Sequence, residues 1–258
     1  MRQVAVVMIK MIKELLREKV ALFWIIAWPI LWVLMACVIF TRGLPEDVVQ
    51  YARGSSTICM MTFALMIAGM TSIPGSIADD RERGLLSKLK SMPIRPWKDI
   101  TGRILGLLVF SALAVILVAL VGYACGARFS FTFVKIGQSF GFFLLILLTS
   151  AGIGMLVGTF IKNVQGAIMT GVGISVVTAA ISGVMSPYSS LPPWLQQLAR
   201  VYPISSANSS VLYLLANGEE AAGYNPLMGG RIALTMILSV AIFIVGIIIY
   251  SKLCWRRE

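Results

Sequence analysis

The sequence predicts an all-α integral membrane protein with six transmembrane helices, and three observations carry that prediction. Hydrophobic residues fill 58% of the 258 positions and charged residues 13%, about half of the ~25% charged share of a soluble domain. The apolar residues fall into six blocks of roughly twenty, long enough at ~1.5 Å per residue to cross a ~30 Å hydrocarbon core. The 22 Lys and Arg residues divide unequally between the two sides that six spans create, 16 against 6. That bias places both ends in the cytoplasm, and the cell (plasma) membrane is the expected location. The net charge of +11 therefore reads as membrane topology, and no nucleic-acid partner is expected.

Residues 1–19 set Val4, Met8, Met11, Ile12 and Leu15 on one helical face, opposite Lys10, Lys13, Glu14, Arg17 and Glu18. This is the pattern of an interfacial helix lying on membrane lipids. Its acids and its amphipathic character set it apart from a signal peptide. The first span covers residues 20–40. Pro29 is expected to kink it, because proline clashes with the carbonyl four residues back, here that of Ile25. Trp24, Trp28 and Trp32 fall one turn apart. Trp24 sits where an interfacial anchor would. Trp32 lies too deep for that role, so Trp28 and Trp32 read as a face toward a second copy or a cavity.

A polar loop over 41–55 leads to the second span, 56–77, rich in methionine. Phe63, Met66 and Met70 share a face of it. Unbranched thioethers repack around varied shapes, so a permissive binding wall and plain helix packing are both open readings. Next comes a polar stretch from Asp79 to Arg103, built as a short amphipathic helix. Leu85, Leu86 and Leu89 gather on one side, and Arg81, Glu82, Arg83, Lys88 and Lys90 on the other. Met92-Pro93 ends it. Such an element between two spans can carry force from a cytosolic partner. It can equally be a solvated, positive loop.

The third span covers 104–124 and the fourth 137–161, with Gly154-x-x-x-Gly158 inside it. The turn at Lys162-Asn163 opens the fifth span, 164–185. Gly171, Ser175, Thr178 and Ser182 form a small, mildly polar stripe on that helix. Small residues let helix backbones approach closely, so packing is the first reading of both features and a translocation path the second for the stripe. Residues 187–230 form an extracellular segment punctuated by Pro187, Pro192, Pro193, Pro203 and Pro226. Two short amphipathic pieces, 193–200 and 205–216, are predicted as re-entrant or interfacial helices. The sixth span covers 232–253.

Much chemistry is excluded. The 258 residues contain no histidine and no G-x-x-x-x-G-K-[ST] loop, so neither His-based nucleophile activation nor P-loop phosphate binding is available. Cys37, Cys59, Cys125 and Cys254 lie in or beside apolar spans without metal-ligand spacing, as small buried hydrophobes. No cofactor, metal or enzymatic activity is expected of this chain. No charged residue falls in the apolar centre of any predicted span, which disfavours an ion-coupled carrier.

Two passages carry a resemblance to a known family. Arg81-Glu82-Arg83-Gly84-Leu85-Leu86-Ser87-Lys88-Leu89 followed by Pro93-Ile94-Arg95 is one. Leu191-Pro192-Pro193-Trp194-Leu195, then Leu198 and Tyr202-Pro203-Ile204, is the other. In this order and spacing the chain resembles the membrane subunits of ABC-2 type exporters, the group that contains daunorubicin-exporter-like permeases. It differs at Leu85-Leu86-Ser87, where the family has Thr-Leu-Glu, and at Ser209 and Leu212, where Glu and Arg are frequent. The resemblance covers the chain as one transmembrane domain, residues 1–258. It implies a homodimer of permeases, each docked through a coupling helix at 79–97 on a separate ATP-binding-cassette subunit that holds ATP and Mg. Arg81, Glu82, Arg83, Gly84, Leu85 and Leu89 are the expected coupling residues. It also implies a path between the second and fifth spans of the two copies, where Phe63, Met66, Met70, Ser175 and Thr178 lie. The expected cargo is an amphiphilic, drug-like or lipid-like molecule. Export of a polysaccharide or lipid-linked glycan, and a membrane assembly protein with no transport role, are the alternatives.

Overall fold

The computed structural model describes residues 2–43, 45–85, 96–130, 132–216 and 218–254, and all regular structure among them is helical. Helix α1 is Arg2–Arg17 and α2 the continuous helical run Lys19–Phe40. Helix α3 is Glu46–Glu82, α4 Pro96–Ala124, α5 Phe133–Phe160 and α6 Val164–Ile181. Helices α7 (Pro193–Val201), α8 (Pro203–Leu215) and α9 (Glu219–Ala222) precede α10, Gly229–Cys254. Six of these, α2 to α6 and α10, are long and apolar enough to cross a membrane.

Helix α3 is the axis of the bundle and packs against α4, α5 and α6. Every residue from Thr57 to Ala78 is buried, although α3 is a less apolar span than α4 or α10. The apolar outer faces belong instead to α4 and α10, where Ile116, Leu120, Ile237 and Ile244 are exposed. With hydrocarbon as the solvent, apolar surface goes outward, and a helix shielded by protein can carry Thr and Ser. A hydroxyl there can satisfy itself on its own helix, as Thr71 does by donating to the Ile67 carbonyl at 2.7 Å.

The 37 residues of α3 reach about 55 Å at ~1.5 Å each, well beyond the membrane. The loop expected over 41–55 is therefore mostly helix, and only residues 41–45 separate α2 from α3. Likewise, Asp79–Glu82 do not open a separate amphipathic helix; they are the last turn of α3. Gly84 (φ +64°) ends it, its N–H bonded to the Arg81 carbonyl at 3.1 Å. A left-handed glycine just past the last turn is a common stop, since it carries no Cβ penalty there. Residues 86–95 of the expected coupling helix, Leu89 among them, lie outside the described residues, and Pro96 and Trp97 already belong to α4.

Pro29 produces no break in α2. The turn before it, Phe23–Ala27, is a π-helix, with the Trp28 N–H reaching the Phe23 carbonyl. A widened turn is one way for a helix to accommodate a proline. Helix α6 starts at Asn163, whose side-chain oxygen accepts the Gly166 N–H at 3.0 Å. Asn163→Ala should cost about 1 kcal/mol, measurable as a lowered unfolding midpoint in detergent.

Helix α8, at 13 residues, is too short to cross, yet Pro203 to Leu212 are all buried, against α5, α10 and α3. Helix α7 exposes Trp194, Leu198 and Val201 on one face. Three cation–π contacts hold this end together, one of them between Arg200 and the Tyr188 ring at 5.7 Å. Arg200 lies 5.4 Å and Arg231 5.2 Å from the Tyr224 ring, which stacks 4.8 Å from Tyr188. Burial pushes the Tyr224 phenol above its ordinary pKa.

Candidate functional site

The strongest concentration of chemistry lies at the end of the bundle where α3 finishes and α4 begins. Asp80 on α3 is wholly buried, and Asp99 and Arg103 on α4 are each 3% exposed. The α-helical period puts Ser76 and Asp80, and Asp99 and Arg103, one turn apart on single faces. Arg103 reaches across both pairs. It donates to Asp99 at 2.9 Å, to the Ser76 hydroxyl at 2.6 Å, and to Asp80.

Two further helices close the knot. From α1, Lys10 pairs with Asp80 and with Glu14 (3.3 Å), while Ser76 donates to Glu14 at 2.8 Å. From α10, the Tyr250 hydroxyl donates to Asp99 at 2.8 Å. Lys10 and Glu14 thus turn toward the protein, whereas the sequence pattern set them on the outer polar face of α1. The buried carboxylate of Asp80 is the cause, since it requires a cation from whichever helix can supply one. The outward face of α1 carries Val6, Ile9 and Leu16 beside Lys13 and Arg17.

Three carboxylates, Glu14, Asp79 and Asp80, bring oxygens within 4.8 Å of one another. Each of the three carboxylates already has a side-chain cation as a partner. Lys10 and Arg103 hold Asp80, Lys10 holds Glu14, and Arg83 holds Asp79 at 2.8 Å.

The expected coupling residues sit beside this knot and divide into two kinds. Arg81 is engaged inside the chain. It donates to the carbonyls of Thr159 (3.2 Å) and Ile161 (3.3 Å) and to the Cys254 sulfur at 3.2 Å. It therefore caps α5, where a cation offsets the negative end of the helix dipole, and ties in α10. Glu82 accepts the Val164 N–H at 3.0 Å, at the opposite, positive end of α6. Arg83 is exposed, and the hydrogen bond and charge of Asp79 push its pKa up. Leu85 lines a cavity of about 340 Å³ between α1, α3 and α4. A second cavity, of about 410 Å³, separates α1 from α3 and α6.

The residues read from the sequence as a path lie elsewhere. Phe63, Met66 and Met70 are wholly buried, and Ser175 and Thr178 nearly so. The Ser175 hydroxyl touches the Met70 sulfur at 3.2 Å, and Thr178 meets the Tyr202 hydroxyl at 3.3 Å. In this structure they belong to the packed interior of one chain, with Met70 and Ser175 meeting across the α3–α6 seam. Pro74 lies within α3 and has no N–H for the Met70 carbonyl. The Gly171 backbone of α6 packs onto that same carbonyl oxygen.

Trp28 and Trp32 are half-buried and stack along α2, with Trp24–Trp28 centroids 5.3 Å apart and Trp28–Trp32 6.1 Å. Sequence reasoning missed Asp80, Asp99, Arg103 and Tyr250. Their one visible signal was the Asp99/Arg103 pair, four apart and flanked by Ile100 and Ile104.

Comparison with known proteins agrees with this architecture. The sequence profile described as ABC-2 type transporter matches residues 2–216. The chain is also similar to the probable multidrug ABC transporter permease YbhR of Escherichia coli, in strain K12 and in O157:H7. Identity to each is 31% over 159 residues, covering 58% of this chain and 39% of the relative. The match thus spans well under half of the relatives' own length.

Proposed function

The chain belongs to the ABC-2 type transporter family, and from that premise we propose that it is the membrane-spanning permease of an ATP-driven exporter for an amphiphilic, drug-like or lipid-like substrate. ATP and Mg are held by a separate cassette subunit, since these 258 residues carry no P-loop. Two permease copies form the working unit in the plasma membrane, with the knot on the cytoplasmic side favoured by the 16-to-6 division of Lys and Arg.

The observation that carries this reading is the position of the knot. It joins α1, α3, α4 and α10 at the level where the 83–96 segment leaves α3. A push on that segment is delivered to four helices together, because a buried, hydrogen-bonded ion network resists shear better than an apolar contact. In this reading Arg83, Gly84, Leu85 and Leu89 meet the ATPase, while Arg81 and Glu82 relay the movement to α5 and α6. The α3–α6 seam holding Phe63, Met66, Met70, Ser175 and Thr178 is the face that parts during transport. Packed interiors switch between discrete arrangements rather than deforming smoothly. Pro74 supplies a turn of α3 with one backbone bond fewer to break.

Arg83→Glu tests the reading. Arg83 is exposed and lies outside the buried knot, so membrane insertion should be unchanged and the unfolding temperature should fall only modestly, from loss of the exposed Asp79 pair and the added negative charge beside it. Substrate-stimulated ATP hydrolysis by the co-purified cassette subunit should fall at least about tenfold, as expected when a close charge pair is lost at an interface. Full stimulation in the variant, or no cassette subunit recovered from the native membrane, would leave the assembly-protein alternative as the better account.

A further inference from the structure

At the opposite end of the bundle a third cavity, of about 320 Å³, opens between α2, α3, the 182–187 turn and α8. We propose that it is a binding site for the uncharged, hydroxyl-bearing head group, of glycosyl type, of an amphiphilic substrate. The inference rests on the exporter reading and narrows its substrate class.

Asn208 carries the argument. It lines the cavity, is 1% exposed, and among the described residues neither its amide oxygen nor its amide nitrogen has a partner in good hydrogen-bonding geometry, the Cys59 thiol beside it being at most a weak one. The neighbouring Cys59 thiol is directed at the Gly183 carbonyl, at 3.8 Å. Leaving a buried amide unsatisfied is unfavourable, so this side chain is built for something that enters. An amide presents one acceptor and two donors side by side, which matches adjacent hydroxyl groups, each able to donate and accept. Ser182 and Ser209 add hydroxyls to the same wall.

Across from them stand Trp32 and Phe40, their rings 6.0 Å apart, a surface suited to the C–H face of a sugar ring. No Asp, Glu, Lys or Arg lines the cavity among the described residues. An ammonium would be buried without a carboxylate, and a phosphate without a cation; both are costly. The volume lies at the small end of the ~300–1,000 Å³ range of ligand pockets, enough for a head group but not a whole amphiphile.

The test uses the full chain in lipid nanodiscs, without the ATPase, and three fluorescent probes. Two are short-chain ceramides that share a tail, one with a glucosyl head and one with phosphocholine; the third is a dodecylamine of the same label. The glucosyl probe should bind saturably and the other two only partition into lipid. Asn208→Leu should weaken glucosyl binding about tenfold, the usual result of removing a hydrogen-bonding group that a substrate hydroxyl needs. The nearly isosteric Asn208→Asp should move the preference toward the amine. Equal binding of all three heads by the native chain, or unchanged glucosyl affinity in both variants, overturns the proposal and leaves a hydrated cleft. Glucosyl binding by a chain that recruits no ATPase would instead retain this site and remove the exporter reading.

Discussion

Arg103→Met is expected to lower stability by about 3–5 kcal/mol, the cost of breaking a buried ion network by removing one partner. Among the described residues Arg103 is the single group that touches Asp80, Asp99 and Ser76 together. Without it two carboxylates remain in the interior, one held by Lys10 and the other by the Tyr250 hydroxyl. Helix α1 loses its fixed position relative to α4, because Lys10 now faces a site with an unbalanced negative charge. Adding Asp80→Asn should restore part of the loss, since neighbours in one network are not additive. The measurement is the unfolding midpoint of detergent-solubilised protein, with Asn163→Ala as the internal scale. A shift for Arg103→Met no larger than that of the lost cap would falsify the idea that the knot is an interior, mutually dependent unit.

Gly171→Leu should be comparably damaging, for a different reason. A Cβ at Gly171 would meet the Met70 carbonyl oxygen deep inside van der Waals contact, and the Thr71 Cα at 3.2 Å. Both obstacles are backbone, which cannot rotate aside as a side chain can. Overpacking a close-packed interior costs about 1–3 kcal/mol, occasionally more. Here α3 is held on its other sides by α4 and α5, so the strain falls on the seam to α6. Gly173 is the control. Only two residues on, it faces outward with nothing within 4 Å of a built Cβ. Gly173→Ala should be neutral, or stabilising by up to about 1 kcal/mol through helix propensity. Unfolding midpoints that rank the two positions the other way would place α6 in a different orientation.

Much of the architecture was legible from residue order alone. The six spans follow from apolar run length, and the paired signatures around Arg81–Leu89 and Leu191–Ile204 pointed to the family that the profile match supports. Span ends were less legible, because hydropathy marks only the lipid-immersed part of a helix. Helix α3 continues through Asp79–Glu82 since Arg83 pairs with Asp79 and Arg81 and Glu82 bond across to α5 and α6. The partners on α5 and at the start of α6 lie some 80 residues away. On α1 the same limit shows at two positions: Met11 and Leu15 are buried as their spacing predicts, while Lys10 and Glu14 turn toward the knot. Periodicity sorts residues by polarity, and it assigns a charged residue to solvent unless an opposite charge is known to wait inside.

What the sequence determined by itself is the chain's relation to its solvent: how many segments are long and apolar enough to cross the bilayer, and how unequally Lys and Arg divide between the loops that join them. These depend on local composition and on the cost of leaving backbone polar groups bare in hydrocarbon. Which helix occupies the centre was decided only by tertiary structure, and so was the meeting of Lys10, Asp80, Asp99, Arg103 and Tyr250 in one knot. The physical reason is that lipid and protein interior are almost equally apolar. Hydrophobicity therefore drives a span into the membrane without saying which of its faces meets another helix, and that choice is left to close backbone contact, as at Gly171, and to charges that must find one another.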